Sequence, residues 1–344
     1  MRDITFSCWI NAWSIDQGLR KLAGRKLCST KPDGLITDHV SEPNAGDVLF
    51  FTDEASMRKY VGQKDFFSQP KQLPEEVFDD KFAFAALANK LEIPTIPFEK
   101  TPAEQTELEF PVLVKARNSW LNGSHVHRGW VCKSKKEFPQ IFREIEEKEL
   151  EITDYFLQEW QEKVSAEDNF SVCGYWDAEE NDRNLLAVAQ RTSSYNSGQS
   201  CSSAIAVIQD PEDLIERARK ILNHLNYKGP FEMEFLRLAD GFRVLEFNPR
   251  FWYQNGIFIK HGNGLIRRYL GEDEKALNGE TIIESGTWVD AIWLLRSILK
   301  LQFHAIKEVR RAADLGRAKV DLYPSLPVAL KYFLKRIFSG KSPE

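Results

Sequence analysis

Short apolar runs bounded by polar clusters dominate the middle of this chain, and they predict strands. Ile4 to Ile10 is a β-prone run near the start. Asp47-Val-Leu-Phe-Phe-Thr-Asp-Glu54 is an apolar run ending in polar residues, the form of a parallel strand whose carboxyl end faces a site. Gln69 to Pro74 reads as a linker. Asp79-Asp80-Lys81 then opens a helix of good formers, acidic at its start and basic at its end, and Pro94 and Pro97 stop it.

Beyond Phe110 the pattern shortens. Pro111 to Ala116, Gly129 to Cys132, Tyr155 to Trp160, Phe170 to Trp176 and Leu185 to Arg191 each predict a strand. The polar segment Arg117 to Arg128 separates the first two. Lys135 to Leu150 predicts a charged amphipathic helix, and Asp210-Pro211 opens another that runs to about Leu225. Thr192 to Ser203, rich in Ser and holding Gly198, predicts a mobile loop. Thr287 to about Ala313 carries Trp288, Ile292, Leu295, Ile298 and Leu299 at helical spacing, and Asp321 to Pro324 breaks the pattern. Leu326 to Phe338 is amphipathic, with Lys331, Lys335 and Arg336, and Lys341 lies just beyond. The stretch 326–341 has two readings, a peripheral contact with an anionic membrane surface or a packing helix with a solvated basic face; the second is simpler. The alternation of strands and helices makes the class α+β.

Composition narrows the function. The 344 residues suit two or three domains, and 42% hydrophobic residues exclude wholesale disorder. With 46 Lys plus Arg against 51 Asp plus Glu, the net charge of -5 gives no global pull toward nucleic acid. Cys8, Cys28, Cys132, Cys173 and Cys201 are odd in number and contain no CxxC pair, so they read as reduced thiols of a cytoplasmic protein. The N-terminus lacks the apolar stretch and cleavage site of a signal peptide. The apolar stretch Thr287 to Phe303 contains Asp290, Arg296 and Lys300, so it predicts no membrane span.

The segment richest in chemistry runs from Phe231 to Arg250. Two alternating runs flank Ala239-Asp240-Gly241, and a three-residue loop with Gly241 in the left-handed region predicts Leu238 paired with Phe242. That register sets Glu234 opposite Glu246 and Glu232 opposite Asn248, all on one face, with Phe231, Met233, Phe235, Leu245 and Phe247 on the core face. Opposed carboxylates repel, and a divalent cation bound by oxygen donors removes that cost. Arg250 follows on the same face and completes a polyphosphate site. The plain alternative is an exposed polar face; a two-residue loop would flip the register and separate the two acids.

These residues resemble the ATP-grasp superfamily. Asp80-Lys81-Phe82, followed by Leu91-Glu-Ile-Pro-Thr-Ile-Pro97, looks like the entry helix that ends in GIPTP in many members, with Leu91-Glu92 departing from the usual Gly. Phe110-Pro-Val-Leu-Val-Lys115 looks like the lid strand ending in a phosphate-contacting lysine, and Phe156-Leu-Gln-Glu159-Trp160 like the hinge strand that receives adenine. Glu234, Glu246 and Asn248 match the magnesium ligands, and Glu246-Phe-Asn-Pro-Arg250 is the most specific stretch. The similarity spans roughly residues 47 to 272 and points to the carbamoyl-phosphate-synthase-like carboxylate–amine ligase group. The loop from Ala116 to Arg128 holds fewer glycines than many members have there.

The resemblance implies an ATP-grasp fold, two α+β subdomains gripping ATP. It implies a small α/β domain at residues 1–78, the grasp domain at 79–275 with a lid at about 108–153, and a helical extension at 276–344. It implies ATP and Mg2+ or Mn2+ as cofactors and small-molecule carboxylate and amine substrates. Lys81 and Lys115 would clamp phosphates. Gln158, Glu159 and Trp160 would line the adenine slot, and Asp168 or Asn169 would meet the ribose. Glu234, Glu246 and Asn248 would hold the metal, and Arg250 and Arg191 would hold the γ-phosphate and the acyl-phosphate made from it. The implied reaction is ADP-forming ligation of a carboxylate to an amine through an acyl-phosphate. Its rivals are an ATP-grasp kinase or other phosphorylating enzyme, and a non-catalytic nucleotide-binding protein; paired carboxylates argue against the last.

Overall fold

The computed structural model describes residues 49–51, 54–65, 67–100, 102, 106–121, 124–162, 164–194, 203–209, 214–259, 264–271, 280–317, 320–323, 326–327 and 329–330. The strand expected at Ile4 to Ile10, the loop core 195–202, the helix start 210–213 and the basic tail 331–341 lie outside the described residues.

The strands in chain order are β1 (Phe98–Glu99), β2 (Val112–Ala116), β3 (Trp120–Leu121), β4 (Ser124–His125), β5 (Gly129–Cys132), β6 (Tyr155–Glu159) and β7 (Asn169–Asp177). There follow β8 (Leu185–Ser194), β9 (Ser203–Ile208), β10 (Lys228–Leu238), β11 (Gly241–Asn248), β12 (Thr281–Ile283), β13 (Thr287–Asp290) and β14 (Val320–Tyr323). Strands β1-β6-β2-β5 make a four-stranded antiparallel sheet. An eight-stranded sheet runs β11-β10-β7-β8-β9-β13-β14, with β12 pairing β8 in parallel.

Period-two burial builds the small sheet. Val112, Val114 and Ala116 turn inward with Tyr155 and Leu157 onto Phe138, Ile141 and Ile145 of the Phe138–Glu146 helix. The alternate side chains of β2 and β6, including Lys115, Phe156 and Gln158, take the opposite face.

The large sheet is covered on both faces. Phe84, Leu87 and Ala88 of the Lys81–Lys90 helix and Leu214, Ile221 and Leu222 of the Leu214–His224 helix pack on Phe231, Met233, Phe235 and Phe247. Leu265, Ile266 and Tyr269 of the Gly264–Leu270 helix pack with Phe251 and Trp252 on Cys173, Ala187 and Ala189. Because side chains alternate, Glu232 and Glu234 share this second face.

The β10–β11 hairpin differs from the expected one in an instructive way. Leu238 pairs with Gly241, not Phe242, so the turn holds only Ala239 and Asp240. Gly241 has φ +118, open in practice only to glycine. Continued regularly, this register would turn the acidic face over. A bulge corrects it: Phe235 pairs with Val244 and Glu234 with Glu246, leaving Leu245 as the extra residue. Glu234–Glu246 and Glu232–Asn248 are therefore opposed as expected, but Val244, 2% exposed, takes the core position assigned to Leu245.

Three other expectations change. Leu49 to Phe51 join no ladder strand; backbone bonds from Leu49 N to Phe67 O and from Phe251 N to Phe51 O pin them, and a helix begins at Glu54. Gln69 is no linker residue: its N and Nε2 each donate to Tyr269 at 3.1 Å, it accepts from Tyr175, and it is 5% exposed. The single helix expected from Thr287 is strand β13 followed by the helices Ala291–Leu299 and His304–Leu315. Asp290 divides them by accepting from the backbone N–H groups of Ile292 and Trp293, a helix cap that a periodicity argument passes over. The segment after 276 thus adds strands to the large sheet as well as helices. Among the described residues no helix is long and apolar enough to cross a membrane.

Candidate active site

The cleft between the two sheets collects charges from distant parts of the chain. Lys81 opens its helix because Asp80 caps it, accepting from Ala83 N at 2.9 Å. Its ammonium lies 3.5 Å from Glu246 Oε1 and donates to Ser119 Oγ at 2.9 Å. Lys115 comes from the other sheet and donates to Gln158 Oε1 at 3.2 Å. Burial lowers the pKa of Lys115, and Glu246 and Glu234 pull the other way, which places this lysine in the field of both acids.

The residues after Lys115 tie the small sheet to that helix start. Arg117 Nη2 pairs with Asp80 Oδ2 at 2.6 Å, Lys81 N donates to Arg117 O at 2.8 Å, and Ser119 N donates to Asp79 Oδ1 at 2.9 Å.

On the acidic face Glu232 and Asn248 are buried, and Glu234 and Glu246 are partly exposed. Burial opposes ionisation of Glu246, but Lys81, Lys115, Arg250 and Arg128 outweigh it and hold its carboxyl below the ordinary range. Burial, and then Glu246, push Glu234 up. Burial and Glu234 push Glu232 up to about 8. Asn248 Nδ2 lies 3.3 Å from Glu232 Oε2 and 3.5 Å from Glu234 Oε1, and its Oδ1 accepts from Arg250 Nη2 at 3.4 Å. Arg250 Nε donates to Glu54 Oε1 at 2.6 Å. Arg191 draws down Glu232 and Glu234 electrostatically, so it borders the same cluster.

Among the described residues no group of three or more His, Cys, Asp or Glu is arranged to hold a metal by itself. The donor set is two carboxylates and one amide oxygen. Opposed acids, one of them with its pKa raised by burial and by the other, are the chemistry that a hard divalent cation relieves, with further positions left to phosphate oxygens and water. The residues fit such a cation.

Lys81, Lys115, Gln158, Glu234, Glu246, Asn248, Arg250 and Arg191 therefore come together. Glu159 and Asp168 lie apart from them. Glu159 accepts from Gln161 at 3.0 Å, and Asp168 pairs with Arg237 at 3.0 Å; both line an open cavity of about 800 Å3 with Arg237 and Asp240 at the hairpin end. Trp160 N and Glu159 N are bound to Pro111 O and Pro97 O. Sequence reasoning gave Glu54 and Ser119 no role, although Glu54 stood at the polar end of an apolar run expected to face a site. It placed Glu232 on the right face without giving it a role.

No family model matches the chain, and no curated protein matches it in sequence. Solved structures do match. A carboxyaminoimidazole ribonucleotide synthase from Aspergillus clavatus, complexed with ATP, has a TM-score of 0.55 at 13% identity, over 81% of this chain and 79% of that one. A biotin carboxylase from Campylobacter jejuni, complexed with β,γ-ATP, has 0.54 at 12%, over 83% and 74%. The biotin carboxylase domain of Hydrogenobacter thermophilus 2-oxoglutarate carboxylase, bound to MgADP, ADP and bicarbonate, has 0.51 at 15%, over 70% of this chain and 57% of that one. The chain thus spans little more than half of this last neighbour. At such identities the likeness is one of fold, and the fold is the ATP-grasp fold that the motifs resemble.

Proposed function

We propose that this chain is an ADP-forming, ATP-dependent ligase that joins a small-molecule carboxylate to an amine. A carboxylate oxygen of the substrate attacks the γ-phosphorus of ATP, and ADP leaves. The amine then attacks the acyl carbon, inorganic phosphate leaves, and the amine gives up a proton to yield the amide. No protein nucleophile is required.

Lys81, from the helix packed on the large sheet, and Lys115, from the small sheet, would serve as point charges for the phosphates. Gln158 steadies Lys115, and Arg250, with Arg191 beside it, presents charge to the transferred group. Glu234, Glu246 and Asn248 would hold magnesium or manganese, which supplies charge neutralisation on the phosphate oxygens. Glu159, Trp160 and Asp168 are assigned to the base and ribose end, where the open cavity leaves room. The same reading takes 1–78, 79–275 and 276–344 as its domains. It places the protein in the cytoplasm, in keeping with free, buried Cys132 and Cys173.

The carrying observation is Glu234 opposed to Glu246 with Lys81 3.5 Å away. The test is a screen of amino acids, peptides and sugar acids for substrate-stimulated ADP release, with products weighed by mass spectrometry. A condensed product is expected, and Glu246→Gln should slow turnover by about 100-fold or more. Unchanged turnover in Glu246→Gln would overturn the site.

A further inference from the structure

Glu232 is a third carboxylate on the acidic face, and the metal set just described does not use it. It is 7% exposed and lies opposite Asn248 on one side and Cys173 on the other. A buried acid beside another acid costs stability unless its oxygens are well bonded. Both oxygens have partners: Oε1 accepts from Ser171 Oγ at 3.1 Å, and Oε2 faces Asn248 Nδ2 at 3.3 Å.

We propose that Glu232 is a positioning residue that fixes which end of the Asn248 amide is offered to the cation. This rests on the ligase reading above. An amide has a donor end and an acceptor end of nearly equal shape, and only the oxygen binds a hard cation. In this site the nitrogen donates to Glu232 Oε2 at 3.3 Å and, less closely, to Glu234 Oε1 at 3.5 Å, and the oxygen accepts from Arg250. Half a turn of the amide would set its oxygen against Glu232 Oε2, acceptor against acceptor. Glu232 therefore blocks the wrong orientation, and Ser171 holds Glu232 in place to do so. Such outer partners of metal ligands change metal affinity by about 10- to 100-fold when removed.

The experiment is a magnesium titration of the full chain with a non-hydrolysable ATP analogue, read by thermal melting and, with manganese, by electron paramagnetic resonance. Glu232→Gln can present either an oxygen or an NH2 to Asn248, so it no longer excludes the turned amide and should raise the half-saturating metal concentration. Glu232→Met fills the space without an acceptor and should raise the half-saturating metal concentration about tenfold or more. Its affinity for the analogue in metal-free buffer should not fall, because removing a carboxylate beside Arg250 takes no positive charge from the phosphates. Ser171→Ala should shift the midpoint in the same direction by less, and it carries the test if the Met variant does not fold. A wild-type midpoint in Glu232→Met, or in Ser171→Ala where the Met variant does not fold, would overturn the inference alone. A wild-type protein that ignores magnesium and analogue would overturn the ligase reading, and this inference with it.

Discussion

Glu54 and Arg250 form a 2.6 Å ion pair, Nε to Oε1, although they lie 196 residues apart in the chain. The arginine that closes the acidic hairpin is thereby aimed by a helix that precedes both sheets. Burial opposes the guanidinium charge, but Glu54, Glu232 and Glu246 outweigh it and raise its pKa. Glu54→Ala leaves a buried charge short of its main partner. It should destabilise the protein by about 3 kcal/mol in urea unfolding and slow turnover without a matching change in ATP affinity. Glu54→Gln keeps an acceptor and should lose less.

Lys115 gives a pH signature. Its pKa lies below that of an ordinary lysine because burial disfavours the ammonium, so it loses its proton first as pH rises. The sign follows: affinity for ATP should fall in alkaline buffer before free lysines titrate. Lys115→Arg, whose guanidinium stays charged, should move that fall to higher pH. Lys115→Met should weaken ATP binding by about 10- to 100-fold, the loss of one charge-assisted hydrogen bond, in calorimetric titration.

Asp80 has two duties, capping the Lys81–Lys90 helix and pairing with Arg117. Asp80→Ala removes both, for about 1–2 kcal/mol in thermal or urea unfolding, since the ion pair is partly solvated and adds little to the cap. Hydrogen exchange should quicken in Val112–Ala116, next to the lost tie. Unchanged exchange there would mean that Asp79 and Ser119 hold the two sheets together alone.

Gly241 carries the turn that the bulge at Leu245 corrects. A valine there must adopt φ near +118, a conformation that costs about 1–3 kcal/mol outside glycine. Gly241→Val should lower the urea midpoint accordingly and weaken magnesium-dependent nucleotide binding, because a relaxed turn competes with the register that opposes Glu234 to Glu246.

The limits of sequence reading can be traced to single residues. Alternation along Phe231 to Phe235 and Glu246 to Asn248 reports its own burial, because each residue's face follows from its neighbours', so the acidic face and its cross-strand pairs were legible. The route to that register was not, because regular three-residue and bulged two-residue hairpins bring the same acids together, and only packing of Val244 against Phe235 and Phe84 selects between them. Thr287 to Ala313 misled because apolar spacing does not announce Asp290, whose side chain ends a strand and starts a helix in one step. Local periodicity and short motifs thus carried β2, β5 to β8 and the β10–β11 hairpin, the helix around Lys81, and the identities of Lys81, Lys115, Glu234, Glu246, Asn248 and Arg250. The folded chain alone decided that Glu54 meets Arg250, that Ser119 meets Lys81, and that Asp168 pairs with Arg237. These are contacts between segments far apart in sequence, set by how two sheets pack, and no local pattern of side chains encodes them.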